Sequence, residues 1–142
     1  MGDRGNVVVR DQGQDVWLYS HWGGSYLPAT VQAALRRYGK SPWTDPSYLA
    51  RIIFVEMGGG EQSETGYGIS TRMCDNEYPI ILVNCDAQKV ELRSETKDGE
   101  FKADDDMTGR EWTFDEYVAL GEIPPMHAWP AAGCGSRWWR RR

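Results

Sequence analysis

The chain has 142 residues, 40% of them hydrophobic and 26% charged, which fits a single soluble domain with one core. A formal charge of −5 argues against broad nucleic-acid binding, where phosphate contacts dominate affinity. No apolar run approaches the ~20 residues that span a bilayer. Cys74, Cys85 and Cys134 are odd in number and share no spacing, which argues against a disulfide framework and points to a reducing cytosol.

The polar start Met1-Gly2-Asp3-Arg4-Gly5 is not read as a signal peptide. Asn6–Arg10 then opens the fold with the β-branched run Val7-Val8-Val9. Asp11-Gln12-Gly13-Gln14 reads as a hairpin turn, and Asp15–Trp22 as the return strand. A period of two puts Val16, Leu18, Ser20 and Trp22 on one face, with Trp17, Tyr19 and His21 on the other. Both faces are bulky, so both are expected to be covered at least in part. Gly23-Gly24 ends the strand.

The stripe Leu27, Val31, Ala34, Leu35 and Tyr38 predicts a helix over 26–38, closed by Gly39. Pro28 is tolerated there because it falls in the first turn. A second helix starts at Asp45 as cap, with Pro46 at the first helical position. Its inner stripe is Leu49, Ile52, Ile53 and Met57, widened by Tyr48 and Val55. Gly58-Gly59-Gly60 ends it.

Tyr67–Met73, Pro79–Cys85 and Lys89–Ser94 predict three strands. The turns Cys74-Asp75-Asn76-Glu77 and Asp86-Ala87-Gln88 would join them as a meander. Ile80-Ile81-Leu82-Val83 suits a central strand covered on both faces. Glu95–Asp106 holds six acids and two lysines and reads as a solvated loop. Thr113-Phe114-Asp115-Glu116 is a capping box, with Trp112 and Tyr117 flanking it, and opens a short third helix that stops at Gly121. Pro124, Pro125 and Pro130 then exclude regular structure.

The order β-β-α-α-β-β-β-α predicts an α+β fold, an antiparallel sheet of about five strands with two to three helices packed on one face. Residues 1–123 read as one domain. Residues 124–142 read as a Pro/Gly-rich extension with a cationic tail, Arg137-Trp138-Trp139-Arg140-Arg141-Arg142. That tail carries 4 of the 16 basic residues, leaving 12 basic against 21 acidic residues in positions 1–136. Guanidinium forks and indole rings together suit an anionic docking surface, on a partner or on the chain's own body. The alternative is a frayed terminus.

Several segments resemble a widespread group of small uncharacterised proteins of bacteriophages and their bacterial hosts. They are Met1-Gly2-Asp3-Arg4-Gly5-Asn6, Leu18-Tyr19-Ser20-His21-Trp22-Gly23-Gly24 and Tyr48-Leu49-Ala50-Arg51-Ile52-Ile53-Phe54. Thr65-Gly66-Tyr67-Gly68-Ile69-Ser70 and Asp75-Asn76-Glu77-Tyr78-Pro79 complete the pattern, which covers roughly residues 1–93. The resemblance brings no activity. It implies a phage accessory protein in the cytoplasm of a bacterial host, acting against host defence by binding.

Tyr19-Ser20-His21-Trp22-Gly23-Gly24 reads either as a phosphate or proton-transfer site or as an aromatic strand end stopped by glycines. Gly58–Ser70 reads as a loop closing over a ligand or as a connector; it is neither a P-loop nor a dinucleotide fingerprint. Asp75-Asn76-Glu77 reads chiefly as turn chemistry, and against that as a metal or ribose site. Asp104-Asp105-Asp106 lacks the spacing of a calcium loop. His21, His127 and the cysteines lack the paired spacing of a zinc site, so neither metal nor cofactor is expected.

The leading expectation is therefore binding of a small anionic nucleotide-like ligand. Aromatic rings would stack a base, while Arg4, Arg51, Arg72 or the tail arginines Arg137 and Arg140 would meet phosphate. Tyr19, His21, Trp22, Gly23, Gly24, Thr65, Tyr67, Trp138 and Trp139 complete the candidate contacts. A second expectation is an acidic, anti-CRISPR-like inhibitor that blocks a nucleic-acid-binding defence protein. A third is a hydrolase using His21 with Glu56 or Glu64. Exposed rings and sheet edges also make a homo-oligomer an expected assembly.

Overall fold

The computed structural model describes residues 2–59, 65–95, 101–102, 109–129 and 138–139. Strands β1 (Gly5–Asp11) and β2 (Gln14–Ser20) form the predicted hairpin. Gln12 and Gly13 turn it with φ of 52° and 74°, the paired positive values that a tight twisted hairpin demands. Helix α1 spans Leu27–Arg37 and α2 spans Pro46–Phe54. Strands β3 (Tyr67–Ser70), β4 (Ile80–Asn84), β5 (Lys89–Glu95), β6 (Phe101–Lys102) and β7 (Glu111–Thr113) follow, and α3 is Phe114–Ala119.

The fold is α+β, but its sheet is mixed rather than antiparallel. The strand order is β3-β2-β1-β4-β5-β6, with β7 also on β5. β1 and β4 run parallel, Val7 opposite Ile81 and Val9 opposite Val83. These two strands carry the longest apolar runs, and such strands need cover on both faces, so they take adjacent central places. The expected meander is thereby broken. β3 leaves β4 and pairs antiparallel with β2 at the sheet edge, and only β4 and β5 remain a hairpin. The acidic segment is not all loop: Phe101 and Lys102 pair with Glu95 and Ser94.

One face of the sheet carries Val7, Val9, Leu18, Ile81, Val83, Val90 and Leu92 into the main core. Leu27, Val31 and Leu35 of α1, Leu49, Ile52 and Ile53 of α2, and Phe114 and Tyr117 of α3 meet them there. The other face buries a smaller cluster of Val8, Trp17, Ile80 and Leu82, with Met73 against it. Both faces of β2 are thus used, as its alternation predicts. Trp22 departs from that pattern. The strand stops at Ser20, and Trp22 stands 59% exposed rather than on the inner face.

Tyr38, Tyr48 and Val55 are also exposed instead of widening the helix stripes. α1 ends at Arg37, so Tyr38 leaves the helix, and Leu49, Ile52 and Ile53 already fill the contact between α2 and the sheet. The chain after α2 forms a wider turn over Val55–Gly59, where Gly58 takes φ 109°. The capping box of α3 is formed as read. Thr113 Oγ1 accepts from Glu116 N–H at 3.0 Å, and Glu116 Oε1 accepts from Thr113 N–H at 3.2 Å. Among the described residues no helix is long and apolar enough to cross a membrane.

Candidate functional site

The end of β2 gathers many of the sequence candidates. The Tyr19 hydroxyl lies 2.8 Å from His21 Nδ1, and the Trp22 ring stands edge-on to His21 with centroids 4.3 Å apart. The glycines here serve the chain. Gly24 N–H donates to the Asp3 carbonyl at 2.7 Å, and Gly23 N–H donates to Ser20 Oγ at 3.0 Å. A Cβ on Gly24 would fall 2.5 Å from backbone atoms of Arg4 and Gly5. Both amides are spent on protein acceptors, so neither is offered to an anion.

Arg4 is also spent. Its Nε donates to Glu77 Oε1 at 2.9 Å and its Nη1 meets Asp75 Oδ2 at 3.2 Å. The hydrogen bond from Arg4 holds the Glu77 carboxyl below its usual range. Fully buried Asn6 ties the same loop down. Its Nδ2 donates to the carbonyl of Asp75 at 3.1 Å and to Asn76 Oδ1 at 3.2 Å, and its Oδ1 accepts from Cys74 N–H at 3.3 Å. Asn76 Nδ2 in turn donates to the Tyr78 carbonyl. Asp75-Asn76-Glu77 is therefore a strut against β1. The sequence offers no local signal for Asn6, whose partners lie on a distant loop.

Tyr67 packs its hydroxyl against Gly58, where a Cβ would sit 2.7 Å away. Thr65 and Arg72 flank β3 and are exposed. Glu56 pairs with Arg37 at 2.6 Å, while His21 bonds Tyr19, so each of these two acid–base candidates has its own partner. Glu64, Arg137 and Arg140 lie outside the described residues, as do Cys134 and Asp104-Asp105-Asp106. Burial pushes the Cys85 thiol up to about 12.

Trp138 and Trp139 fold back on the body. Trp138 stacks on Trp112, centroids 5.9 Å apart, and tilts against Trp129 at 4.9 Å. The Arg110 guanidinium lies 4.7 Å from the Trp139 ring centre, and Trp112 Nε1 donates to the Trp139 carbonyl at 3.4 Å. These contacts are ring packing, a cation–π contact and a hydrogen bond, made beside β7 against the main core.

A cavity of about 550 Å³ opens elsewhere, where α1 hands over to α2. Gly39, with φ 67°, lets the chain leave α1. The turn Ser41–Thr44 then leads to Asp45, which caps α2. Asp45 Oδ1 accepts from Ser47 Oγ at 2.6 Å, from Ser47 N–H at 3.1 Å and from Tyr48 N–H at 3.3 Å. The Ser47 hydroxyl bond leads in holding this carboxyl below its usual range. Tyr38 and Tyr48, 60% and 58% exposed, flank the opening, and Arg51 lines it. Tyr48 and Arg51 stand three residues apart and so share a helix face.

Arg51 is uncommitted. Arg4, Arg10, Arg37, Lys40, Lys89 and Arg93 are in ion pairs, Arg36 donates to carbonyls at the end of α3, and Arg110 lies over Trp139. Among the described side chains, Arg51 and Arg72 are the cations with no such partner, and Arg51 lines this cavity. A second cavity of about 590 Å³ lies between α1 and α3. Its donors, Gln32 and Arg36, are turned to the carbonyls of Val118, Leu120 and Gly121. Arg51 was legible as a phosphate candidate. Tyr38 and Tyr48 were missed because the helical stripe assigned both to the core, although the Asp45 cap and the Tyr48–Arg51 spacing mark one accessible face. Compared with protein-family models, curated proteins and solved structures, the chain matches nothing.

Proposed function

We propose that the protein binds a small anionic, nucleotide-like ligand in the cavity bordered by Tyr38, Tyr48 and Arg51, and holds it without chemical change. The observation that carries this reading is Arg51, a guanidinium with no carboxylate partner among the described residues, lining one cavity with two exposed tyrosyl rings in an acidic chain. A guanidinium fork matches phosphate oxygens, and base stacking on an aromatic ring contributes about 1–3 kcal/mol. The acidic surroundings repel an anion from most of the surface, so the unpaired cation decides where it settles. The resemblance to phage proteins supports a setting in which sequestering a host signal nucleotide is the useful act. That role needs affinity and no catalytic group.

The test is to incubate wild-type and Arg51→Ser protein with extracts of phage-infected bacteria, wash, heat-denature and analyse the released small molecules by mass spectrometry. An intact nucleotide should be released stoichiometrically by wild type, and at least tenfold less by Arg51→Ser. Equal release from both proteins, or none from wild type, removes this site. A chemically altered nucleotide replaces sequestration by catalysis.

A further inference from the structure

We infer that the ligand of the Tyr38–Tyr48–Arg51 cavity is a nucleoside carrying a single phosphate group, an inference that rests on the binding reading above. Asp45 caps α2, Tyr48 and Arg51 follow at three-residue steps, and all three line the cavity. At the helical rise, Asp45 and Arg51 are separated by about 9 Å along the axis, with Tyr48 midway. The site therefore has an anionic end, an aromatic middle and a cationic end.

The anionic end excludes phosphate. The amides of Ser47 and Tyr48, which would otherwise attract an anion to the start of α2, are spent on Asp45 Oδ1. Asp45 Oδ2 accepts from no group in the described structure and is left to accept from a hydroxyl or amino donor. Sugar hydroxyls and base amino groups are such donors.

The cationic end is small. Arg37 lines the adjoining recess with Arg51, but its guanidinium is held by Glu56 at 2.6 Å. Among the described residues, one free guanidinium thus lines the cavity, and the Asp45 carboxylate lines it too. One phosphate can be met by Arg51. Further phosphates find no second free guanidinium among the described residues of the cavity, and those turned along α2 meet the like charge of Asp45.

The experiment is calorimetric titration of the full chain, in magnesium-free buffer, with adenosine and guanosine 5′-monophosphates and with the corresponding triphosphates. Wild type should bind at least one monophosphate tenfold or more tighter than its triphosphate. Asp45→Asn keeps a good helix cap, so the protein should melt as wild type does. It should bind the monophosphate more weakly and narrow the gap to less than threefold. Arg51→Ser should lose both. Triphosphate binding as tight as monophosphate binding, still dependent on Arg51, overturns the single-phosphate inference and leaves the binding reading standing. Binding of none of the four nucleotides overturns the single-phosphate inference and leaves the binding reading to the release experiment, whereas heat signals that Arg51→Ser does not change overturn both.

Discussion

Arg4 and Arg51 are both arginines that the sequence offers to a phosphate, and the fold uses them in opposite ways. Arg4 sits at the start of β1, where Asp75 and Glu77 close on its guanidinium. Arg51 sits on α2 beside a cavity, with no ion-pair partner among the described residues. Around Arg4, the polar groups are turned inward on each other, and the glycines of the neighbouring strand end pass backbone against backbone. Around Arg51, polar and aromatic groups are turned outward. A polar cluster rich in histidine, glycine and acid is therefore no guide to a site until its partners are counted. What marks the proposed binding surface is a group left without one.

The contrast breaks most sharply at Asn6. Asn6→Ala removes a buried side chain that satisfies the loop over Cys74, Asp75 and Asn76, and should cost about 2–3 kcal/mol in denaturant unfolding. A loss below about 0.5 kcal/mol would show that this end is not internally braced.

A smaller effect is expected from acid. The folded-state carboxyl of Glu77 lies below its ordinary value of 4.5 because Arg4 donates to it. Its stabilisation is thus present above that value and is lost as pH falls through the lower folded value. Melting temperature followed from pH 7 to pH 3 should fall, and Glu77→Gln should flatten the part of that fall below pH 4.5. An unchanged profile in the variant would remove Glu77 from the brace.

The smallest expected effect is at the cavity. Tyr48→Ser should shift stability by no more than about 0.5 kcal/mol, because the ring is exposed and packs nothing in the core. A large loss would mean that the ring is structural after all.

The elements written in short-range chemistry were legible. Gln12-Gly13 at the hairpin, Asp45-Pro46 at the start of α2 and the Thr113–Glu116 box each carry their signal within four residues, and all three are formed. The sheet order was not legible, because nothing near Tyr67–Ser70 says that its partner is β2 and not the next strand. β6 and β7 escaped notice because strands of two and three residues carry no alternation to read. The candidate site was half legible for a related reason. A sequence names every arginine that could meet a phosphate, but a carboxylate seventy residues away decides which of them is still free.

The parallel pairing of β1 with β4 also sets a schedule for synthesis. The strand that supplies Val7, Val8 and Val9 emerges roughly 70 residues before the one that supplies Ile81, Leu82 and Val83. At translation rates of about 5–20 residues per second, that valine strand waits several seconds with one flank open. During that interval the β1–β2 hairpin is an incomplete, sticky ribbon, and a pause in translation before Ile80 would lengthen its exposure to other nascent chains.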